Sequence, residues 1–172
     1  MRVSLAAALI AGLSGPALAQ DVAFDGSILE ACLSAGDTGG GGGFGGGSSC
    51  IGAAVEPCID ATPGGATTVG YAFCLDAELS WWDARLNAVY GDLLSQAGRI
   101  DADAVTYGTP NRPSDVAALR RMQRAWIEYR DESCGYEALQ WWGGTGANGV
   151  SLSCRMRLTG AQSFYLEGLL LD

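Results

Sequence analysis

Leu119-Arg120-Arg121-Met122-Gln123-Arg124-Ala125-Trp126-Ile127-Glu128-Tyr129-Arg130-Asp131-Glu132-Ser133-Cys134 is the stretch whose reading decides the fold. Leu119, Met122, Trp126 and Tyr129 recur at steps of three and four, the period of one face of an α-helix. Arg120, Arg124 and Arg130 leave the same helix within reach of carboxylates on a neighbour, and Glu128 stands four residues after Arg124, at ion-pair spacing. A cysteine closes the run. The stretch holds no obvious catalytic group, so it reads as one wall of a disulfide-clamped helical module built for binding.

The flanking sequence supplies partners of the same kind. Ser114 is placed to cap this helix, with Asp115 favourable in the first turn, and Gly135 marks its expected end. Upstream, Thr67 or Thr68 caps a long helix expected to reach Ala97, with Gly98 as terminator. Leu75, Leu79, Trp82, Leu86, Val89 and Leu93 form its apolar stripe. Residues 101–113 read as a connector, because Thr109-Pro110 and Arg112-Pro113 oppose helix. Residues 143–149 are glycine-rich and read as a flexible loop. A last helix over residues 150–170 offers Cys154, Leu158, Ala161, Tyr165 and Leu169. Short helices are expected over residues 24–35 and 51–61, the second ended by Pro63-Gly64-Gly65. Between them, residues 39–47 are glycine but for Phe44, a composition that reads as a mobile loop tied at its base. Strand-like alternation of useful length is absent. The expected fold is all-α, a disulfide-stapled antiparallel bundle of three longer helices with short N-terminal helices.

The N-terminus reads as an export signal. Arg2 precedes a short apolar run, Pro16 breaks it, and Ala17-Leu18-Ala19 has the small-x-small cleavage pattern. The run is too short for a permanent membrane anchor. A lipoprotein reading fails because Cys32 lies far downstream of it, with Glu30 two residues before. Residues 1–19 are therefore expected to be a signal peptide, 20–57 an N-terminal extension, and 58–172 the main helical domain. An even set of six cysteines in an exported chain reads as three disulfides, for which fifteen pairings exist. Chain proximity favours Cys32–Cys50, Cys58–Cys74 and Cys134–Cys154. Each closes a loop of about twenty residues, worth on the order of 3 kcal/mol in the chain-entropy model.

Charge and composition exclude several functions. The chain carries −9, and loss of Arg2 with the leader makes it −10. It contains no lysine and no histidine. Nucleic acid is disfavoured, because phosphate neutralisation needs a cationic face. A cationic partner would be steered toward this surface. Without histidine or Cys-x-x-Cys, neither a zinc site nor a redox dithiol is expected, and no cofactor is implied. A Ser-His-Asp triad is impossible, and two common general bases are missing. Carboxylates remain: Asp76, Glu78 and Asp83 on one helix, Glu128, Asp131 and Glu132 on the next. Their spacing gives a catalytic pair no special support. Glu78, Asp83, Asn87, Arg124, Arg130 and Asp131 are expected to form a structural polar network between helices, with Arg85 pairing acids nearby. Of the tandem tryptophans, Trp82 falls on an apolar stripe and Trp81 off it. Trp141 and Trp142 adjoin the glycine loop and are candidate interface anchors.

The ordered pieces resemble a known family. Cys58, Thr67-Thr68 and Cys74 are followed by Glu78, Asp83, Leu86-Asn87 and Tyr90. Leu119-Arg120, Gln123 to Ile127, Tyr129-Arg130-Asp131 and Cys134 come next, then Gly143-Gly144, Cys154 and Leu158-Thr159. Together they resemble the small exported bacterial proteins with a lysozyme-inhibitor LprI-type domain, across residues 58–170. The resemblance implies an all-helical, disulfide-bonded domain and supplies no catalytic residues. It points to a periplasmic or secreted, non-catalytic binding protein with a cationic lysozyme as partner. The alternative is an envelope structural or stress-related protein that binds another envelope component.

Overall fold

The computed structural model describes residues 21–37, 48–109 and 111–170. The expected signal peptide, the glycine tract at 39–47 and Pro110 lie outside the described residues. Five α-helices follow in order: α1 (Ser27–Asp37), α2 (Val55–Ala61), α3 (Thr68–Thr106), α4 (Asp115–Leu139) and α5 (Ala147–Glu167), with a 3-10 turn at Ser48–Cys50 before α2. No strand occurs among the described residues. Helices α3, α4 and α5 run up, down and up, and α3 makes its most extensive contact with α5. The fold is the expected all-α bundle stapled by Cys32–Cys50, Cys58–Cys74 and Cys134–Cys154.

The 39-residue α3 is the spine. At ~1.5 Å per residue it is roughly 58 Å long. Thr67 caps its start by accepting from the Gly70 amide at 3.0 Å. Its approach from α2 is so tight that a Cβ on Gly65 would collide with the Ile59 carbonyl. The expected stop at Gly98 does not occur. A glycine inside a helix costs only about 1 kcal/mol relative to alanine. Here Ala97 is buried, and the next turn carries Asp101, which receives the start of α4. The Asp101 carboxylate accepts from the Ser114 hydroxyl at 2.6 Å and from the Asp115 amide at 2.7 Å, while Ser114 Oγ accepts from the Ala117 amide at 3.1 Å. Likewise α4 continues past Gly135 to Leu139, held to α5 by Cys134–Cys154 and by Arg157 donating to Glu137 at 2.8 Å. Residues 147–149, expected in a loop, form the first turn of α5.

The core has two parts. One gathers Leu29, Cys50, Ala54, Val55, Cys58, Cys74, Leu75, Trp82 and Met156. The other holds Leu86, Val89, Leu93 and Leu166, flanked by Leu119, Met122 and Trp126. Trp82 lies in the first, edge-on to Trp81 at 4.8 Å and tilted against Phe164 at 5.5 Å between ring centroids. The stripe on α3 is buried as its period requires. Two other stripes run differently. On α4 the inward line passes through Leu119, Gln123, Trp126, Arg130 and Cys134, so Tyr129 is exposed. The Arg130 stem takes the inward place, with its guanidinium over the Trp126 ring at 5.0 Å. On α5 the buried residues are Cys154, Met156, Thr159, Gly160, Gln162, Ser163 and Leu166, whereas Ala161 and Tyr165 are exposed. Small residues win this face because α5 sits deep. A Cβ on Gly160 would come within 2.8 Å of the Ile51 side chain and 3.2 Å of the Trp82 ring.

The N-terminal segment joins the same core through one carboxyl group. Glu78 is fully buried on α3. It accepts from the Gly52 amide at 2.5 Å, the Ala54 amide at 3.0 Å and the Trp82 indole N–H at 2.9 Å. Farther along, the Ala23 amide donates to the buried Thr62 hydroxyl at 3.0 Å.

Two tests follow from this geometry. Glu78→Ala strands three donors, two of them backbone groups without other side-chain acceptors nearby, and each buried loss costs ~1–3 kcal/mol. Urea denaturation under oxidising conditions is expected to show a loss of about 3 kcal/mol or more; a loss below ~1 kcal/mol would refute the clamp. Asp101 is held below the ordinary aspartate value of 3.8, first by the Ser114 hydroxyl and then by the Asp115 amide. A lowered folded value means that the stabilisation is complete above the unfolded value and is lost as pH falls through the folded one. The melting-temperature gap between wild type and Asp101→Asn is therefore expected to be full at neutral pH and to close below pH 3.8. A gap constant across that range would contradict the capping role.

Candidate functional site

The expected polar network divides into separate places. Glu78 faces the N-terminal segment and belongs to the clamp. Asp83 and Asn87 lie one turn apart on α3, and Asn87 donates to Asp83 at 2.9 Å. They face Arg130 and Arg155 across an open groove of about 480 Å³, which Asp76 also lines. Arg130 donates from Nε to Asp131 at 3.0 Å and from Nη1 to the buried Thr159 hydroxyl at 3.5 Å. Arg155 reaches Asp131 at 3.7 Å, and its buried Nε has no partner among the described residues. Arg124 is exposed and makes no ion pair among the described residues, so it stands outside the network; Arg120 is exposed as well. Arg85, expected to pair along its own helix, instead spans to α5 and binds Glu167 at 2.6 Å.

Chemically, this groove is a surface of compensated charge. Asp83 is engaged by Asn87, Asp131 by two arginines, and Asp76 is exposed. Seven residues separate Asp76 from Asp83, about 10 Å along the helix axis. No group of three or more cysteine, aspartate or glutamate side chains that could hold a metal ion occurs among the described residues. No described helix is long and apolar enough to cross a membrane.

The opposite character appears where α4 turns into α5. Trp141 and Trp142 sit in the turn after α4, 54% and 85% exposed. Tyr136 and Leu139 on the last turns of α4 are exposed beside them. Cys134–Cys154 and the Arg157–Glu137 ion pair fasten the base of this turn, so the aromatic end is presented on a rigid support. Trp141 also lines a pocket of about 510 Å³, which Tyr71 from α3 lines as well. The sequence marked Trp141 and Trp142 through their place beside glycines. It did not mark Tyr71, which is far from Trp141 in sequence and lines the same pocket only after α3 and α5 pack side by side.

Comparison with known proteins fits this architecture. A family model described as lysozyme inhibitor LprI matches residues 58–166. A protein of Rhodobacter capsulatus, named only as an uncharacterized 17.7 kDa protein in the puhA 5′ region, is 27% identical over 126 residues. The match covers 69% of this chain and 73% of that protein. No solved structure matches.

Proposed function

The chain belongs to the LprI lysozyme-inhibitor family, and from that membership we propose an exported, non-catalytic protein that binds and inhibits a lysozyme-like muramidase. The family match over residues 58–166 carries this reading. Three physical features support it. Three disulfides suit an oxidising compartment outside the cytoplasm. A net charge of −9 favours rapid, salt-sensitive encounter with a cationic enzyme. The 85% exposed Trp142, carried on the clamped α4–α5 turn, has the size and placement of an interface anchor. In this reading charge brings the partner in, and the aromatic end holds it.

The test is a turbidity assay of cell-wall lysis by a cationic lysozyme, with the purified oxidised protein added. Lysis is expected to slow in proportion to the inhibitor and to recover as salt is raised. Trp142→Ala is expected to weaken inhibition by about tenfold or more, the loss typical of an anchor that contributes at least ~1.4 kcal/mol. Undiminished lysis at a large molar excess and low salt would overturn the proposal.

A further inference from the structure

We propose that the pocket between the start of α3 and the α4–α5 turn is a carbohydrate site, which takes one or two pyranose rings of a β-linked oligosaccharide. Its volume of about 510 Å³ lies within the ~300–1,000 Å³ of small-ligand sites. Its walls are amphipathic in the way a sugar is. Tyr71 and Trp141 supply two partly exposed aromatic surfaces, 39% and 54% open to solvent. Each ring is backed by glycine. A Cβ on Gly146 would stand 3.1 Å from the Trp141 ring, and one on Gly149 would stand 3.2 Å from the Tyr71 ring. The rings thus lie against bare backbone and are held in place as platforms.

The polar side of the pocket narrows the ligand class. Glu137 and Arg157 line it as an ion pair at 2.8 Å, so the wall offers donors and acceptors without net charge. Thr68 and Ser153 line it too and bring hydroxyl groups to this wall. A wholly apolar ligand would bury these groups unpaired, at a cost. A strongly charged one would have to break the ion pair. A neutral polyol satisfies both constraints, because its hydroxyls pair with carboxylate and guanidinium together. In β-linked gluco-configured rings the hydroxyls are equatorial, which leaves flat C–H faces free to lie on aromatic platforms. The site requires no lysozyme and does not rest on the inhibition proposed above.

The test titrates the oxidised full chain with the trimer of N-acetylglucosamine and with cellotriose, no lysozyme present, following tryptophan fluorescence and indole N–H resonances. Saturable change in the millimolar range or tighter is expected, with the Trp141 indole among the perturbed signals. Trp141→Ala is expected to weaken binding by about tenfold or more, since it removes one of the two aromatic surfaces of the pocket. Ser153→Leu, which puts a larger apolar side chain on the pocket wall and leaves both aromatic residues in the chain, is expected to abolish binding while the far-UV helical spectrum is unchanged. Tyr107→Ala, an exposed tyrosine at the other end of α3, is expected to bind as wild type does. No saturable response to either sugar, or equal binding by wild type and Ser153→Leu, would overturn the proposal. Because inhibition of lysis is read separately, failure of one proposal leaves the other standing.

Discussion

The carboxyl group of Glu78 is the interaction on which the arrangement of this molecule turns. It is fully buried, and it collects two backbone amides from the segment before α2 together with the indole of Trp82 one helical turn away. A turn of irregular backbone cannot be buried unless its amides find acceptors. Glu78 supplies those acceptors from inside the spine helix, and so lets residues 52–54 lie against the core without a strand or helix of their own. The same contact fixes Trp82, the largest fully buried side chain of the core around Leu29, Cys58 and Leu75. Ile51 can then press into the space that Gly160 leaves open on α5. One carboxyl group thereby couples the N-terminal segment, α3 and α5.

Covalent staples act on what that packing has brought together. Cys58–Cys74 closes the α2–α3 corner, where Gly65 and Gly70 already permit close backbone approach. Cys32–Cys50 ties α1 to the turn that Glu78 receives. Cys134–Cys154 secures the far corner, where α4 gives way to α5 through a glycine-rich turn. Each closes a short loop, which in the chain-entropy model removes unfolded-state freedom where a small core has least to spare. The result is rigidity at both corners of the end that carries Tyr71, Trp141 and Trp142.

What could be read from sequence follows from what is local. The α3 stripe through Leu75, Trp82, Leu86, Val89 and Leu93 was legible because a helix period belongs to the helix alone, and all five are buried. Ser114 as a cap was legible for the same reason. The clamp was not. A glutamate on a helix ordinarily faces water, and nothing near Glu78 announces that the amides of Gly52 and Ala54, two dozen residues earlier, will meet it. The inward face of α5 was read only at Cys154, because most of its other buried positions are glycine, serine, threonine and glutamine, which an apolar stripe does not register. Tyr129 was misplaced because Arg130 competes for the inward line, and a long aliphatic stem over Trp126 can win that contest. Gly98 and Gly135 misled as stops because tertiary contacts on either side outweigh the small cost of a glycine inside a helix.

The distribution of charge then explains why the aromatic end is where binding is to be sought. Where α3, α4 and α5 meet, several acids and arginines are spent on one another: Asp131 takes Arg130 and Arg155 beside the groove, and Glu167 takes Arg85 elsewhere between α3 and α5. Such pairs hold helices in register but offer little unsatisfied chemistry to a partner. The α4–α5 turn is the reverse case. Its indoles are large, exposed and rigidly based, and the neighbouring ion pair leaves the pocket wall polar but uncharged. In the proposed reading, long-range attraction comes from the net negative charge of the whole chain, and short-range selectivity from surfaces that the scaffold has left unsatisfied. In this molecule those two requirements fall on different residues, so the proposed macromolecular contact through Trp142 and the proposed neutral ligand beside Trp141 can be separated by substitution.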